Sequence, residues 1–142
     1  RLEDVLIRSK GRGEVYIEIK EAEPKLLLEL VQKFEMIEEC FFWCNELRIM
    51  DQLRLLNKAV RLMARRYDFK TLEAAIKRHQ PQVIEFNGLE FSEEDLARCR
   101  ELGILSMPVY MGSGLDKLQK LIDSGVDLLN LGHPELVKKI LL

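Results

Sequence analysis

The sequence predicts an α/β fold of the TIM (β/α)8 barrel type, with six of the eight βα units present in this chain. Three observations carry the prediction. Apolar, β-rich runs recur about every 20 to 25 residues, and a stretch with helical periodicity follows each of them. The connections are short, and alternating strands and helices require a parallel sheet with right-handed crossovers. No Gly-rich phosphate loop follows any run, which favours a barrel over an open doubly wound sheet.

The predicted strands are parallel and follow one another in chain order, after a first helix over Leu2 to Arg8. They are expected to begin near Val15, Cys40, Val60, Val83, Ile104 and Val126. A complete barrel needs eight units and typically about 250 residues. The sequence has 142 residues, so it is expected to form a single domain, residues 1–142, that amounts to three quarters of a barrel.

The predicted helices have recognisable starts and stops. Pro24 suits the first turn of the helix after the first strand. Ser92 followed by three acids is a typical N-cap, and Gly103 ends that helix. The other predicted helices share an apolar stripe or a turn residue at one end; they cover Leu47 to Leu56, Thr71 to Ile76, Gly114 to Ile122 before Gly125, and Glu135 to Leu141 after Pro134.

Composition limits the class of protein. The chain is 47% hydrophobic and 32% charged, an ordinary balance for a globular domain. A net charge of -2 argues against nucleic-acid binding through bulk positive charge. No apolar run is long enough to cross a bilayer and no signal-peptide pattern is present. The sequence does not begin with Met, which is consistent with the removal of an upstream segment, and the compartment stays open.

The three cysteines, Cys40, Cys44 and Cys99, have no metal-ligand spacing. Cys40 and Cys44 would lie on one face of a strand, too far apart for a disulfide. They are interpreted as small core or surface thiols, which slightly favours a reducing compartment such as the cytoplasm.

The first strand, Val15 to Lys20, carries an acid and a base two residues apart. Side chains alternate in a strand, so Tyr16, Glu18 and Lys20 share one face. Unpaired buried ions cost several kcal/mol each. That face is therefore either open to solvent, as on an exposed edge strand, or part of a functional site.

Five motifs of this chain resemble those of the glycerophosphodiester phosphodiesterase family, in the family's order and over most of the sequence. They are Leu2-Glu3-Asp4-Val5-Leu6, Tyr16-Ile17-Glu18-Ile19-Lys20, Glu101-Leu102-Gly103-Ile104, Val109-Tyr110 and Ser124-Gly125-Val126-Asp127. In that family the I-E-I-K strand is the third of the barrel. The resemblance therefore implies that the six strands are the third to the eighth, the C-terminal three quarters of the domain.

The resemblance also implies roles for particular residues. Glu18 would be a ligand of a divalent metal, Mg²⁺ or Ca²⁺, and Lys20 would reach the substrate phosphate. The family's two catalytic histidines precede Arg1, so no catalytic residue is assigned in this chain. Glu85, Asn87 and Tyr110 are the further candidates for substrate binding, at the carboxyl ends of strands where barrel active sites form. Asn45 and Asn130 are also expected to face the lumen.

Two functions follow from this reading. The first is metal-dependent hydrolysis of a glycerophosphodiester, a small molecule of lipid metabolism, to glycerol 3-phosphate and an alcohol, with upstream residues completing the site. The alternative is a catalytically inactive barrel that acts as a binding or structural module. The chain departs from the family at Met111-Gly112-Ser113 and at Leu131-Gly132-His133. Six strands leave two open edges, which a homo-oligomer could cover.

Some basic residues keep a simpler interpretation. Arg61, Arg65 and Arg66 are expected to form a solvated surface cluster, with phosphate binding by Arg65 as the alternative. His133 is expected to be structural, and His79 to end a helix and complement its dipole.

Overall fold

A computed structural model describes residues 1–141. In this range six parallel strands alternate with helices, which confirms a partial TIM-barrel-like α/β fold. The strands are β1 Val15–Ile19, β2 Cys40–Cys44, β3 Arg61–Arg65, β4 Val83–Asn87, β5 Leu105–Tyr110 and β6 Asn130–Leu131. The helices are α1 Leu2–Ser9, α2 Pro24–Lys33, α3 Leu47–Leu56, α4 Leu72–His79, α5 Glu93–Glu101, α6 Leu115–Asp123 and α7 Val137–Leu141, with short 3₁₀ turns at Arg66–Asp68 and Pro134–Leu136. None of these helices is long and apolar enough to span a bilayer.

The last strand begins later than predicted, at Asn130 instead of near Val126. The chain before β6 first contacts β5 through a side chain, Asp127, and not through backbone pairing. The Asp127 carboxylate accepts hydrogen bonds from the Ser106 backbone N–H (2.8 Å) and hydroxyl (2.7 Å). The N–H groups of Asp127 and Leu128 both donate to the Ser106 carbonyl. These bonds use up the β5 partners at that level, so regular pairing starts only where Val109 meets Asn130.

Two helices also differ from the prediction at their ends. The helix expected over Thr71 to Ile76 runs on to His79, and Gln80 follows it with a φ of 46°, a left-handed conformation that stops a helix. Pro134 opens a 3₁₀ turn, and the last α-helix starts only at Val137. His79 is buried at its helix end, with Nδ1 3.6 Å from an Asp51 carboxylate oxygen.

The chain divides into two compact units. Unit 1 consists of Arg1–Met63 with His79–Pro81. In it β1 pairs in parallel with β2, and β2 pairs in parallel with the first residues of β3. All five residues of β2 are buried, as expected of a strand covered on both faces. The fully buried large side chains of this unit are Leu6, Val31, Met36, Phe42, Met50, Leu53, Leu62 and Met63.

Unit 2 consists of Ala64–Arg78 and the described residues from Gln82 onward. Here β4 pairs in parallel with β5 over five residues, from Val83 opposite Leu105 to Asn87 opposite Val109. One face of β4 is apolar and packs under the helices. The hydrophobic core of unit 2 contains Ala64, Leu72, Ala75, Ile84, Phe86, Leu96, Cys99 and Ile104. Glu85 lies between Ile84 and Phe86 and therefore points to the opposite face.

All three cysteines are free and buried. Burial raises the pKa of Cys40 and of Cys99 to about 11. Of the two predicted alternatives, core or surface thiols, the structure shows core thiols at all three positions, and none of them forms a disulfide.

Candidate functional site

Glu18 and Lys20 lie at the carboxyl end of β1, on its open face. Val15, Ile17 and Ile19 occupy the other face and are buried. The side chains of Glu18 and Lys20 are 39% and 78% exposed, and the Lys20 ammonium donates a hydrogen bond to the Glu18 carboxylate. On the same face Tyr16 stacks on Phe41, with ring centroids 5.0 Å apart. The acid and the base therefore neutralise each other where a ligand can reach both.

A second polar group centres on Glu85, in unit 2. Glu85 is only 4% exposed. Its Oε1 accepts a hydrogen bond from the Tyr67 hydroxyl (2.6 Å), and its Oε2 accepts one from Asn130 Nδ2 (2.9 Å). The three side chains come from β4, from the turn after β3 and from β6. Both oxygens of the buried carboxylate are thus bound by side chains of the chain itself, which offsets the cost of its burial.

Arg65 packs beside this group. Its guanidinium binds the Asp68 carboxylate through two hydrogen bonds (2.8 and 3.0 Å) and lies 5.2 Å from the centroid of the Tyr67 ring. Burial lowers the pKa of Arg65, but the hydrogen bond and charge of Asp68 outweigh it, so the pKa is raised. Arg61, in unit 1, is held in the same way by Glu14 at 2.8 Å. The expectation of a solvated arginine cluster is wrong at these two positions, because each guanidinium is largely buried against a carboxylate.

Burial, together with the hydrogen bond to Glu85, raises the pKa of the Tyr67 phenol. The unfolded chain then loses this proton first, near the ordinary tyrosine pKa of about 10. The stabilisation is therefore complete below about pH 10 and is lost as the pH rises further. We expect the free energy of unfolding to fall more steeply above pH 10 in the wild type than in Tyr67→Phe, as measured by urea titration at several pH values. An equal fall in the free energy of unfolding above pH 10 in both proteins would contradict a raised pKa of Tyr67 in the folded state.

Asn87 and Tyr110 form a third group, at the ends of β4 and β5. Asn87 Nδ2 donates to the Glu90 carboxylate at 2.8 Å, and the Tyr110 hydroxyl accepts a hydrogen bond from the Gly114 N–H at 2.9 Å. The Lys117 ammonium lies 5.3 Å from the Tyr110 ring centroid. A cleft of about 460 Å³ opens here; it is lined by Asn87, Leu89, Glu90, Asp116, Lys117 and Lys120.

Of the four predicted substrate-binding residues, Asn87 lines the cleft, Tyr110 contacts Lys117 of its lining, and Glu85 belongs to the other group in unit 2. Tyr110 follows Val109, the register partner of Asn130, so alternation places it on the face opposite Asn130. Lys20 lies in unit 1 beside Glu18. Sequence reasoning missed Tyr67 altogether. Tyr67 lies two residues after the end of β3, where barrels carry functional side chains, and this position could have identified it as a site residue.

A divalent metal would need oxygen ligands, and Glu18 offers one carboxylate at a strand end. Within residues 1–141 no group of three or more His, Cys, Asp or Glu side chains is arranged to hold a metal ion. His133 contacts Glu135, with Nδ1 3.2 Å from a carboxylate oxygen, on the exposed surface. The described residues thus fit a single protein ligand, Glu18, and not a complete metal site.

Comparison with solved structures gives two informative neighbours. A glycerophosphodiester phosphodiesterase from Agrobacterium tumefaciens str. C58 matches with a TM-score of 0.84 and 24% identity, over 92% of this chain and 57% of that one. One from Parabacteroides distasonis ATCC 8503 matches with a TM-score of 0.79 and 17% identity, over 99% of this chain and 63% of that one.

The sequence itself matches no protein-family model and no curated protein. The likeness is therefore one of fold, and it extends over less than two thirds of each solved structure. These are proteins of the family that the sequence motifs resemble. The chain has the fold of part of a glycerophosphodiester phosphodiesterase.

Proposed function

We propose that residues 1–142 are strands three to eight of a glycerophosphodiester phosphodiesterase-like barrel, whose parent protein hydrolyses glycerophosphodiesters to glycerol 3-phosphate and an alcohol. The observation that carries the proposal is the pair Glu18 and Lys20. Both charges project from the carboxyl end of the first strand, on its open face, in a chain with the fold of these phosphodiesterases. The preceding two βα units would supply the catalytic histidines and the remaining metal ligands.

The residue types of the pair suit the reaction. Glu18 would be one hard oxygen ligand of Mg²⁺ or Ca²⁺, and such an ion, when bound, offsets the negative charge of the phosphodiester. Lys20 is hydrogen-bonded to Glu18. Its flexible side chain would turn from the Glu18 carboxylate to the phosphate. The positive charge of Lys20, which Glu18 neutralises in the free protein, would then be neutralised by the substrate. Asn87 and Tyr110, in unit 2, stay predicted substrate-binding residues.

A second candidate function is a barrel that binds a ligand or partner without hydrolysing a phosphodiester. The segment after β5 favours it, because Met111-Gly112-Ser113 stands where the resembling family has T-V-N and the Tyr110 hydroxyl is already bound to Gly114. The native coding sequence upstream of Arg1 separates the two candidates. An H-R-G motif and an E-x-D strand there would support hydrolysis, and their absence would support the binding module. A homo-oligomer that covers the open sheet edges stays a prediction.

Replacing Glu18 with glutamine is expected to abolish metal-dependent hydrolysis. The amide keeps the shape of the carboxylate but loses its charge, and the change removes a metal ligand outright. Loss of an outer-shell partner alone already costs about 10- to 100-fold, so we expect a fall in kcat/KM of more than about 100-fold. The measurement is hydrolysis of glycerophosphocholine and glycerophosphoethanolamine with Mg²⁺, Ca²⁺ or chelator, by the longest natural protein that contains this sequence.

The matched control is Glu21→Gln. Glu21 lies in the turn just after β1, is exposed, and forms no ion pair with another residue of the described range. Its replacement makes the same chemical change and should leave both activity and chelator sensitivity as they are. Activity that withstands both the chelator and Glu18→Gln would remove Glu18 from the metal site.

A further inference from the structure

Glu85 was predicted from the sequence to bind substrate, but its geometry gives it an indirect role. It is almost completely buried, and neighbouring side chains already bind both of its oxygens. A substrate that approaches the face of β4 carrying Glu85 would therefore contact Tyr67 and Asn130 before Glu85. Tyr67 is 44% exposed and Asn130 is half-buried.

The two hydrogen bonds to Glu85 fix what Tyr67 and Asn130 can offer to a ligand. The only hydrogen of the Tyr67 hydroxyl points to Glu85 Oε1, so the exposed side of that oxygen carries lone pairs. The amide group of Asn130 points its Nδ2 to Glu85 Oε2, which turns Oδ1 the other way. Neither acceptor atom has another hydrogen-bond donor within the described part of the chain. One buried carboxylate thus presents two outward-facing acceptors.

Acceptors select ligands that carry donors. A phosphodiester group has only acceptor oxygens and cannot bind there, whereas the hydroxyl groups of a glycerol moiety donate. The nearby cation is not an alternative phosphate anchor, because two hydrogen bonds tie Arg65 to Asp68. We propose that Tyr67 Oη and Asn130 Oδ1 bind the hydroxyl groups of the glycerol moiety, and that Glu85 is the positioning residue that turns both acceptors outward. The inference rests on the proposed function and names the part of the substrate that this group recognises.

The kinetic test compares two substrates of the longest natural protein that contains this sequence. They are glycerophosphocholine and 2-hydroxypropyl phosphocholine, which lacks the terminal hydroxyl. The wild type is expected to prefer the glycerol compound in kcat/KM, and Tyr67→Phe to reduce that preference about 10-fold through KM, as for one lost hydrogen bond. Tyr16→Phe, the matched loss of a hydroxyl in unit 1, should keep the wild-type preference. If Tyr67→Phe lowers turnover of both substrates equally, the proposal is overturned.

Glu85→Gln gives a sharper test because it preserves size. The new side chain can still accept from Tyr67 through its oxygen, but its amide nitrogen then faces Asn130 Nδ2. Asn130 then turns over to accept from it, which directs NH₂ outward in place of Oδ1. If the glutamine amide flips instead, the Tyr67 hydroxyl accepts from it and turns its own hydrogen outward, so one of the two acceptors is lost either way. We expect this variant to lose the preference for glycerophosphocholine while remaining folded. A preference equal to that of the wild type would contradict the positioning role.

A binding measurement separates this inference from the hydrolysis proposal. In ¹H–¹⁵N spectra of the same protein, glycerol 3-phosphate is expected to shift the side-chain amide signals of Asn130, and inorganic phosphate is not. If hydrolysis is absent but this pattern is seen, the proposed activity fails and the glycerol site stands. If phosphate alone shifts the Asn130 signals equally, or neither compound does, the glycerol site is wrong whatever the activity.

Discussion

Replacing Arg54 with alanine is expected to lower the free energy of unfolding by about 3–4 kcal/mol. The guanidinium of this α3 residue donates to four backbone carbonyls of unit 1. Nη1 binds those of Lys58 and Val60, both at 2.7 Å, and Nη2 binds those of His79 (3.3 Å) and Gln80 (3.0 Å). Burial lowers the pKa of this guanidinium. Alanine would leave those carbonyls without their charged donor, and water can reach only some of them.

Urea unfolding followed by circular dichroism measures this loss. Arg48→Ala is the control, because Arg48 lies on the same helix, is 76% exposed and only approaches Glu46 at 3.8 Å. Such a surface pair contributes little, so the control should lose less than about 0.5 kcal/mol. Similar losses in the two variants would show that the bonds made by Arg54 add nothing beyond its helix propensity.

Replacing Phe86 with alanine is expected to cost about 3–5 kcal/mol. The Phe86 side chain is fully buried in the core of unit 2 and meets the Phe91 ring edge-on, with centroids 5.5 Å apart. Alanine removes most of a large apolar side chain and leaves a cavity in the core. Thermal and urea unfolding of the variant measure the cost, which should appear as a fall in the unfolding midpoint with little change in the denaturant slope.

Leu89→Ala serves as the comparison, because this leucine lies in the turn just after β4 and is substantially exposed. Its truncation is expected to cost less than about 1 kcal/mol. A cost for Phe86→Ala no greater than that for Leu89→Ala would mean that the core of unit 2 is not packed as described.

The regular part of the fold was accessible from sequence because burial leaves a periodic trace. Val15, Cys40 and Val83 each begin a strand as predicted. The sixth strand escaped because its position depends on a side chain: Asp127 reaches Ser106 and delays the start of regular pairing to Asn130. No periodicity in the sequence encodes such a contact.

The candidate site was predictable only as a set of strand ends. Alternation correctly placed Glu18 and Lys20 on one face, but it could not show that the two charges bind each other. The direction of Tyr110 depends on its neighbours in space. The Tyr110 ring lies against the segment that follows it, where its hydroxyl accepts from the Gly114 N–H. A Cβ at Gly112 would stand 2.7 Å from the Tyr110 hydroxyl oxygen, so this position of the ring requires glycine at residue 112. Tyr67 reaches Glu85 because a 3₁₀ turn follows β3, and a three-residue turn leaves no pattern to read.

The buried thiols have a consequence for how this protein meets oxidants and alkylating reagents. A pKa of about 11 at Cys40 and Cys99 leaves only about one part in 10⁴ of each as thiolate at pH 7, and the thiolate is the reactive form. Cys40 lies in β2 and Cys99 in α5, one in each unit. Modification of either sulfur therefore requires local opening of the unit that holds it. The rate at which an alkylating reagent modifies Cys40 or Cys99 therefore reports the local opening of unit 1 or unit 2, respectively.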